Sequence, residues 1–134
     1  MLGFDKAIKN AEDTNSRGSV LVAGEVNSPG RIELRPDRGI QTAIYAAGGL
    51  NNKSSDQILL IRLNKTYFEE QIPIRMKYLE DNRLGSRKNP ILREGDILII
   101  GKNWIAKFSE AINTGLAPLG PIIDAASIFR ILGM

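Results

Sequence analysis

The 134-residue chain has no cysteine and no histidine. Without cysteine there is no disulfide framework and no thiol chemistry. Without histidine the commonest general base, the commonest metal ligand and the ordinary neutral-pH switch are missing together. Charge of one sign is scarce as well: 18 lysines and arginines oppose 15 aspartates and glutamates, a formal +3. No zinc-finger spacing or basic amphipathic helix accompanies that charge, so nucleic acid is not an expected partner. An apolar leader is lacking too, because Asp5, Lys6 and Lys9 follow Met1-Leu2-Gly3-Phe4. This start is therefore not read as a secretory signal.

What is present is punctuation. Val20, Val22 and Val26 alternate along a first strand, and Asn27-Ser28-Pro29-Gly30 supplies a reversal that returns the chain through Ile32 and Leu34. Ile40, Ala43, Ile44 and Ala47 recur at helical spacing, and Gly48-Gly49 follows where a helix takes a left-handed cap. Residues 57–63 read as a strand, Asn64-Lys65-Thr66 as a turn, and residues 67–74 as a return strand. Tyr78 and Leu79 read as a packed turn. Pro90 and the Gly95-Asp96 turn then precede a buried strand at Ile97-Leu98-Ile99-Ile100. A hairpin, a helix and further strands predict an α+β fold of β-grasp plan, a mixed sheet with one packed helix. With 43% hydrophobic residues, one compact domain with a modest core is expected. The expected boundaries are a lead-in over 1–17, the β-grasp domain over 18–101 and an amphipathic helical tail over 102–134.

Catalytic chemistry is hard to place on this pattern. Glu69-Glu70 and Glu80-Asp81 are adjacent pairs, and neighbours on a strand point to opposite faces. No serine stands in a nucleophile elbow. Gly48-Gly49 follows a helix instead of opening one, and no Lys-Ser or Lys-Thr comes after it, so it is not a phosphate loop. The expectation is a nonenzymatic protein with no cofactor and no metal. Gly24, Pro29, Gly30, Gly48, Gly49, Gly95 and Asp96 are expected to be architectural, as is Glu25. Arg83, Arg87 and Lys88 form the densest positive stretch, either a solvated loop or a contact for anionic glycan or a neighbouring subunit.

Taken together, Gly24-Glu25-Val26 with Pro29-Gly30, Ala47-Gly48-Gly49, and Leu92-Arg93-Glu94-Gly95-Asp96-Ile97 resemble the soluble-ligand-binding β-grasp (SLBB) domain of bacterial outer-membrane polysaccharide export proteins. The resemblance covers residues 18–101. It implies a subunit or C-terminal fragment of a capsule or exopolysaccharide export channel, homo-oligomeric, with polysaccharide as cargo and an inner-membrane export or chain-length partner. The implied address is the periplasm and outer membrane, with the domain building a periplasmic ring. The export-signature domain that precedes it in that family is not in this sequence, which suggests a fragment or a compact docking subunit.

The tail carries the second clue. Ile105, Phe108, Ile112, Leu116, Leu119 and Ile123 fall on one side of a notional helix, while Lys107, Glu110, Asn113 and Asp124 fall opposite. At ~1.5 Å per residue a helix from Lys102 to Ala126 is about 37 Å long, enough for a bilayer core of about 30 Å. The uncharged run from Ala111 to Ile123 is too short for a lone span of about 20 residues. The resemblance implies a ring of such helices, with the apolar face on lipid or a partner and the polar face on a water-filled lumen. Two alternatives remain open. One is a helical hairpin of Asn103–Thr114 and Ile122–Leu132 packed on the domain, which would make a soluble carbohydrate-binding or protein-interaction module. The other is a helix lying on a membrane surface.

Overall fold

A computed structural model of the protein describes residues 18–35, 37–53, 56–63, 69–113 and 132–133. The lead-in, the turn expected at 64–66 with the first two residues of the expected return strand, and residues 114–131 of the tail lie outside the described residues. Among the described residues five strands and three helices follow one another: β1 (Gly18–Gly24), β2 (Gly30–Leu34), α1 (Ile40–Ala46), β3 (Gln57–Leu63), β4 (Glu69–Arg75), α2 (Met76–Asp81), β5 (Ile97–Ile100) and α3 (Lys102–Asn113). They form one mixed sheet in the order β2-β1-β5-β3-β4. β1 and β5 are parallel, with Leu21 opposite Ile97 and Gly24 opposite Ile100, and every other neighbouring pair is antiparallel. The hairpin, crossing helix and central last strand are the predicted β-grasp plan.

The three central strands explain why their sequences run apolar without strict alternation. Val20, Val22, Ile58, Leu60, Leu98 and Ile100 face one side, where α1 contributes Ile40, Ala43 and Ile44. Leu21, Ala23, Leu59, Ile61, Ile97 and Ile99 face the other, where they meet Phe108, Leu132, Trp104 and Ile105. A strand covered on both faces has no polar side to alternate with. The outer strands differ in kind. β4 accommodates Pro73, whose missing N–H is tolerated at an edge, and β2 carries exposed Arg31 and Glu33.

That second layer adds to the expected plan: packed helices cover both faces of the sheet, and α3, which follows residue 101, packs on it. Phe108, expected to face lipid or a partner, is 0% exposed against the sheet, and Ile105 packs beside it. The amphipathic stripe is real, with Lys107, Glu110 and Asn113 exposed, but its apolar side satisfies this domain's own sheet. Leu116, Leu119, Ile123 and Asp124 lie outside the described residues, as does the Ile112 side chain.

Smaller differences have local causes. Gly24 turns at φ 98° and ends β1, so Val26 leaves the ladder and bridges Leu50 instead. The stretch read as a turn at Tyr78-Leu79 is the six-residue α2, with Leu79 buried. Its N-cap, Arg75, supplies no capping side chain; the Asp56 carboxylate does so from across the chain, accepting the Lys77 N–H at 3.2 Å.

Candidate functional site

The first two motifs meet at one end of the sheet. α1 ends in a Schellman arrangement: Gly48 N–H donates to the Tyr45 carbonyl (3.0 Å) and Gly49 N–H to the Ile44 carbonyl (2.9 Å), with φ of 85° and 83°. The exit so formed docks on the β1–β2 loop. Asn27 N–H donates to the Gly49 carbonyl, Ser28 N–H to the Ala47 carbonyl, and the Asn27 amide to the Gly48 carbonyl at 2.8 Å. Gly24 is needed there for space as well as φ, since a Cβ would lie 2.1 Å from the Ile100 carbonyl oxygen. Pro29 sits in the same loop, half-buried, and Gly30 opens β2.

Glu25 joins this end to α3. Its carboxylate accepts from the Asn51 amide at 3.0 Å and from the Trp104 indole N–H at 3.1 Å, while the Lys107 ammonium lies 5.2 Å from the Trp104 ring. Trp104 is thus tied to the first strand's motif glutamate. Nothing in the local sequence signals this, because the partners are 79 positions apart.

At the opposite end the third motif closes on a buried ion pair. Asp96, 1% exposed, accepts from Arg62 Nε at 3.0 Å and Nη2 at 2.7 Å, and from the Arg93 N–H at 2.7 Å. The hydrogen bond to Asp96 raises the Arg62 guanidinium further above its ordinary value, against the effect of burial. The same guanidinium reaches the Ile91 carbonyl. Gly95 N–H donates to the Ser19 carbonyl and Glu94 accepts from Ser19, so the turn is sewn to the start of β1. Arg62 was missed in the sequence. Its signal was a charge inside the apolar run of β3, and the Ile61–Ile97 register sets it opposite Asp96.

Arg83, Arg87 and Lys88 are all exposed on a loop organised by Asn89. That residue is 5% exposed and donates its amide to the Leu79 and Asn82 carbonyls. The Lys88 ammonium stands 4.6 Å from the Tyr78 ring centroid. Tyr78 in turn lines a groove of about 310 Å³ between α3 and β4, with Gln57, Leu59, Pro73, Arg75 and Ile105. Arg75 holds Asp56 at 2.7 Å, and chiefly through that bond the Asp56 carboxyl lies below its usual value. Arg83, Arg87 and Lys88 are not among the residues lining this groove.

The motif carboxylates Glu25, Glu94 and Asp96 are each bonded to donors of the fold. Among the described residues no group of three or more acidic, histidine or cysteine side chains could hold a metal. No helix of the described residues is long and apolar enough to cross a membrane.

The strand order, the central parallel pair and the helix crossing after the first hairpin define a β-grasp domain. Residues 19–74 match the SLBB domain family. The matched interval holds the first two motifs and β1 through most of β4. The third motif lies beyond it, yet supplies β5, which fills the gap between β1 and β3. No curated protein was found to match the chain.

Proposed function

We propose that this chain is a nonenzymatic subunit of a polysaccharide export apparatus, whose β-grasp domain assembles as a homo-oligomeric ring in the periplasm. The SLBB match over residues 19–74 is the observation that carries this reading. The committed state of Glu25 and Asp96 supports a scaffold in preference to a catalyst. Passage through such a ring is passive, with the driving force supplied by synthesis or by an inner-membrane partner. The surface offered to glycan is the groove lined by Tyr78 and Arg75, with Lys88 over the Tyr78 ring outside that lining. An outer-membrane contribution from the tail rests on residues beyond α3, since Phe108 is taken up by the domain.

Native mass measurement of the full chain, with and without detergent, tests the assembly, and surface polysaccharide in cells lacking the gene tests the role. A large homo-oligomer together with lost surface polysaccharide is expected. A monomer in both media with unchanged polysaccharide sinks the reading. The second reading is then preferred: a soluble carbohydrate-binding or interaction module, favoured by the packing of α3 and Leu132 on the sheet.

A further inference from the structure

β2 forms one margin of the sheet, and β1 is its only strand neighbour among the described residues. The outward N–H and C=O groups of such a strand are a template for another chain. The opposite margin is obstructed by Pro73 in β4. β2 reads Gly30-Arg31-Ile32-Glu33-Leu34. Arg31 and Glu33 are exposed on the α3 side of the sheet, opposite Leu21 and Ser19 of β1, while Ile32 packs on the first core.

Two antiparallel copies of this strand related by a two-fold axis can meet in few registers, and charge separates them. With the axis at Ile32, Arg31 of each copy faces Glu33 of the other, and Ile32 faces Ile32. With the axis at Glu33, Glu33 faces Glu33 and Arg31 faces Arg35. With the axis at Arg31, Arg31 faces Arg31. Directly opposed like charges are destabilising and opposed unlike charges are stabilising, so one register is favoured and both neighbours are penalised. Glu33 also has a contact within its own chain, which a two-oxygen acceptor can keep while taking a second donor.

We propose that β2 pairs with β2 of a second copy of this chain, antiparallel and centred on Ile32, joining two sheets into one. The contact is isologous, as a two-fold demands, and the Ile32 pair extends the first core across the seam. It does not depend on the export reading, because a channel subunit and a soluble module could both pair this way.

The test is a charge exchange read by sedimentation of the full chain over a concentration series. Arg31→Glu and Glu33→Arg singly place like charges opposite each other at two symmetric positions, and each is expected to weaken self-association about tenfold. The double exchange restores unlike pairs and is expected to return the dissociation constant to within about threefold of the parent. Both side chains are exposed, so circular dichroism should show all four proteins folded at the temperature of the measurement, which separates lost pairing from lost folding. A parent that stays monomeric to millimolar concentration overturns the proposal, as do single variants that associate normally. So does a double variant that fails to recover, which would indicate a head-to-tail contact with a different edge. A large ring indifferent to all three variants would overturn the pairing and leave the export reading standing.

Discussion

Phe108→Ala separates a helix that belongs to the domain from a helix that serves a membrane. The Phe108 side chain is 0% exposed and shares a cluster with Leu21, Ala23, Leu59, Ile61, Ile97, Ile99 and Leu132. Truncating a buried phenylalanine costs about 3–5 kcal/mol, the lost transfer energy plus the cavity left behind. A domain of this size has about 5–15 kcal/mol in total. With a denaturant slope of about 2 kcal/mol per molar urea, the midpoint should fall by about 2 M. The assay is urea unfolding in lipid-free, detergent-free buffer, followed by Trp104 fluorescence. Asn113→Ala, at an exposed position on the same helix, is the control and should stay within about 0.5 kcal/mol of the parent. A midpoint for Phe108→Ala equal to that of the control would refute the packing argument and return the apolar stripe to lipid or a partner.

Three further outcomes follow from the same geometry. Gly24→Ala adds a Cβ 2.1 Å from the Ile100 carbonyl oxygen at φ 98°; backbone strain of about 1–2 kcal/mol and overpacking of about 1–3 kcal/mol should lower stability. Gly49→Ala, with open space around it at φ 83°, should show the backbone part alone, and equal losses in thermal melts would disprove the close approach. Asp96→Ala strands the Arg62 guanidinium, 12% exposed, and should cost about 3–5 kcal/mol in urea unfolding, whereas a loss under 1 kcal/mol would mean the pair is dispensable. Asp56 has its pKa lowered in the fold from 3.8, so its stabilising effect is present above that value and disappears as pH falls through the folded pKa. The stability gap between the parent and Asp56→Asn should therefore close below about pH 3.8, and a gap that persists at lower pH would rule out the Asp56 contacts as its source.

The sheet was legible because its strands announce themselves twice, by apolar runs and by the residues that end them. Gly24, Gly48-Gly49 and Gly95 each mark a place where the backbone takes positive φ, and that requirement is local enough to be written in one residue. The Arg62–Asp96 pair was illegible because it depends on register: β3 and β5 must already be aligned before a charge in one and a turn aspartate before the other can be seen as neighbours. α2 read as a turn because its N-terminal carboxylate comes from Asp56, 21 positions away from the Lys77 amide it caps. The packing of α3 stayed open between alternatives for a deeper reason. A helix against a sheet and a helix against lipid need the same stripe, so hydrophobic periodicity alone cannot distinguish them.

The remaining question about the membrane turns on Leu132. It is 0% exposed in the same cluster as Phe108, so Asn113 and Leu132 both sit at the domain. A helical crossing of a bilayer core carries the far end about 30 Å from the near one. Insertion and second-core packing therefore compete for Leu132, and a crossing requires its release. Leu132→Ala weakens the packed side of that competition by about 2–5 kcal/mol. The measurement is flotation of the full chain with lipid vesicles, beside its urea stability without them. If the tail serves the membrane, the variant should lose stability in buffer and gain bound fraction on vesicles. A variant that loses stability and stays unbound means that the segment after α3 has no affinity for lipid once freed, and the membrane part of the export reading falls while the ring in the periplasm can stand.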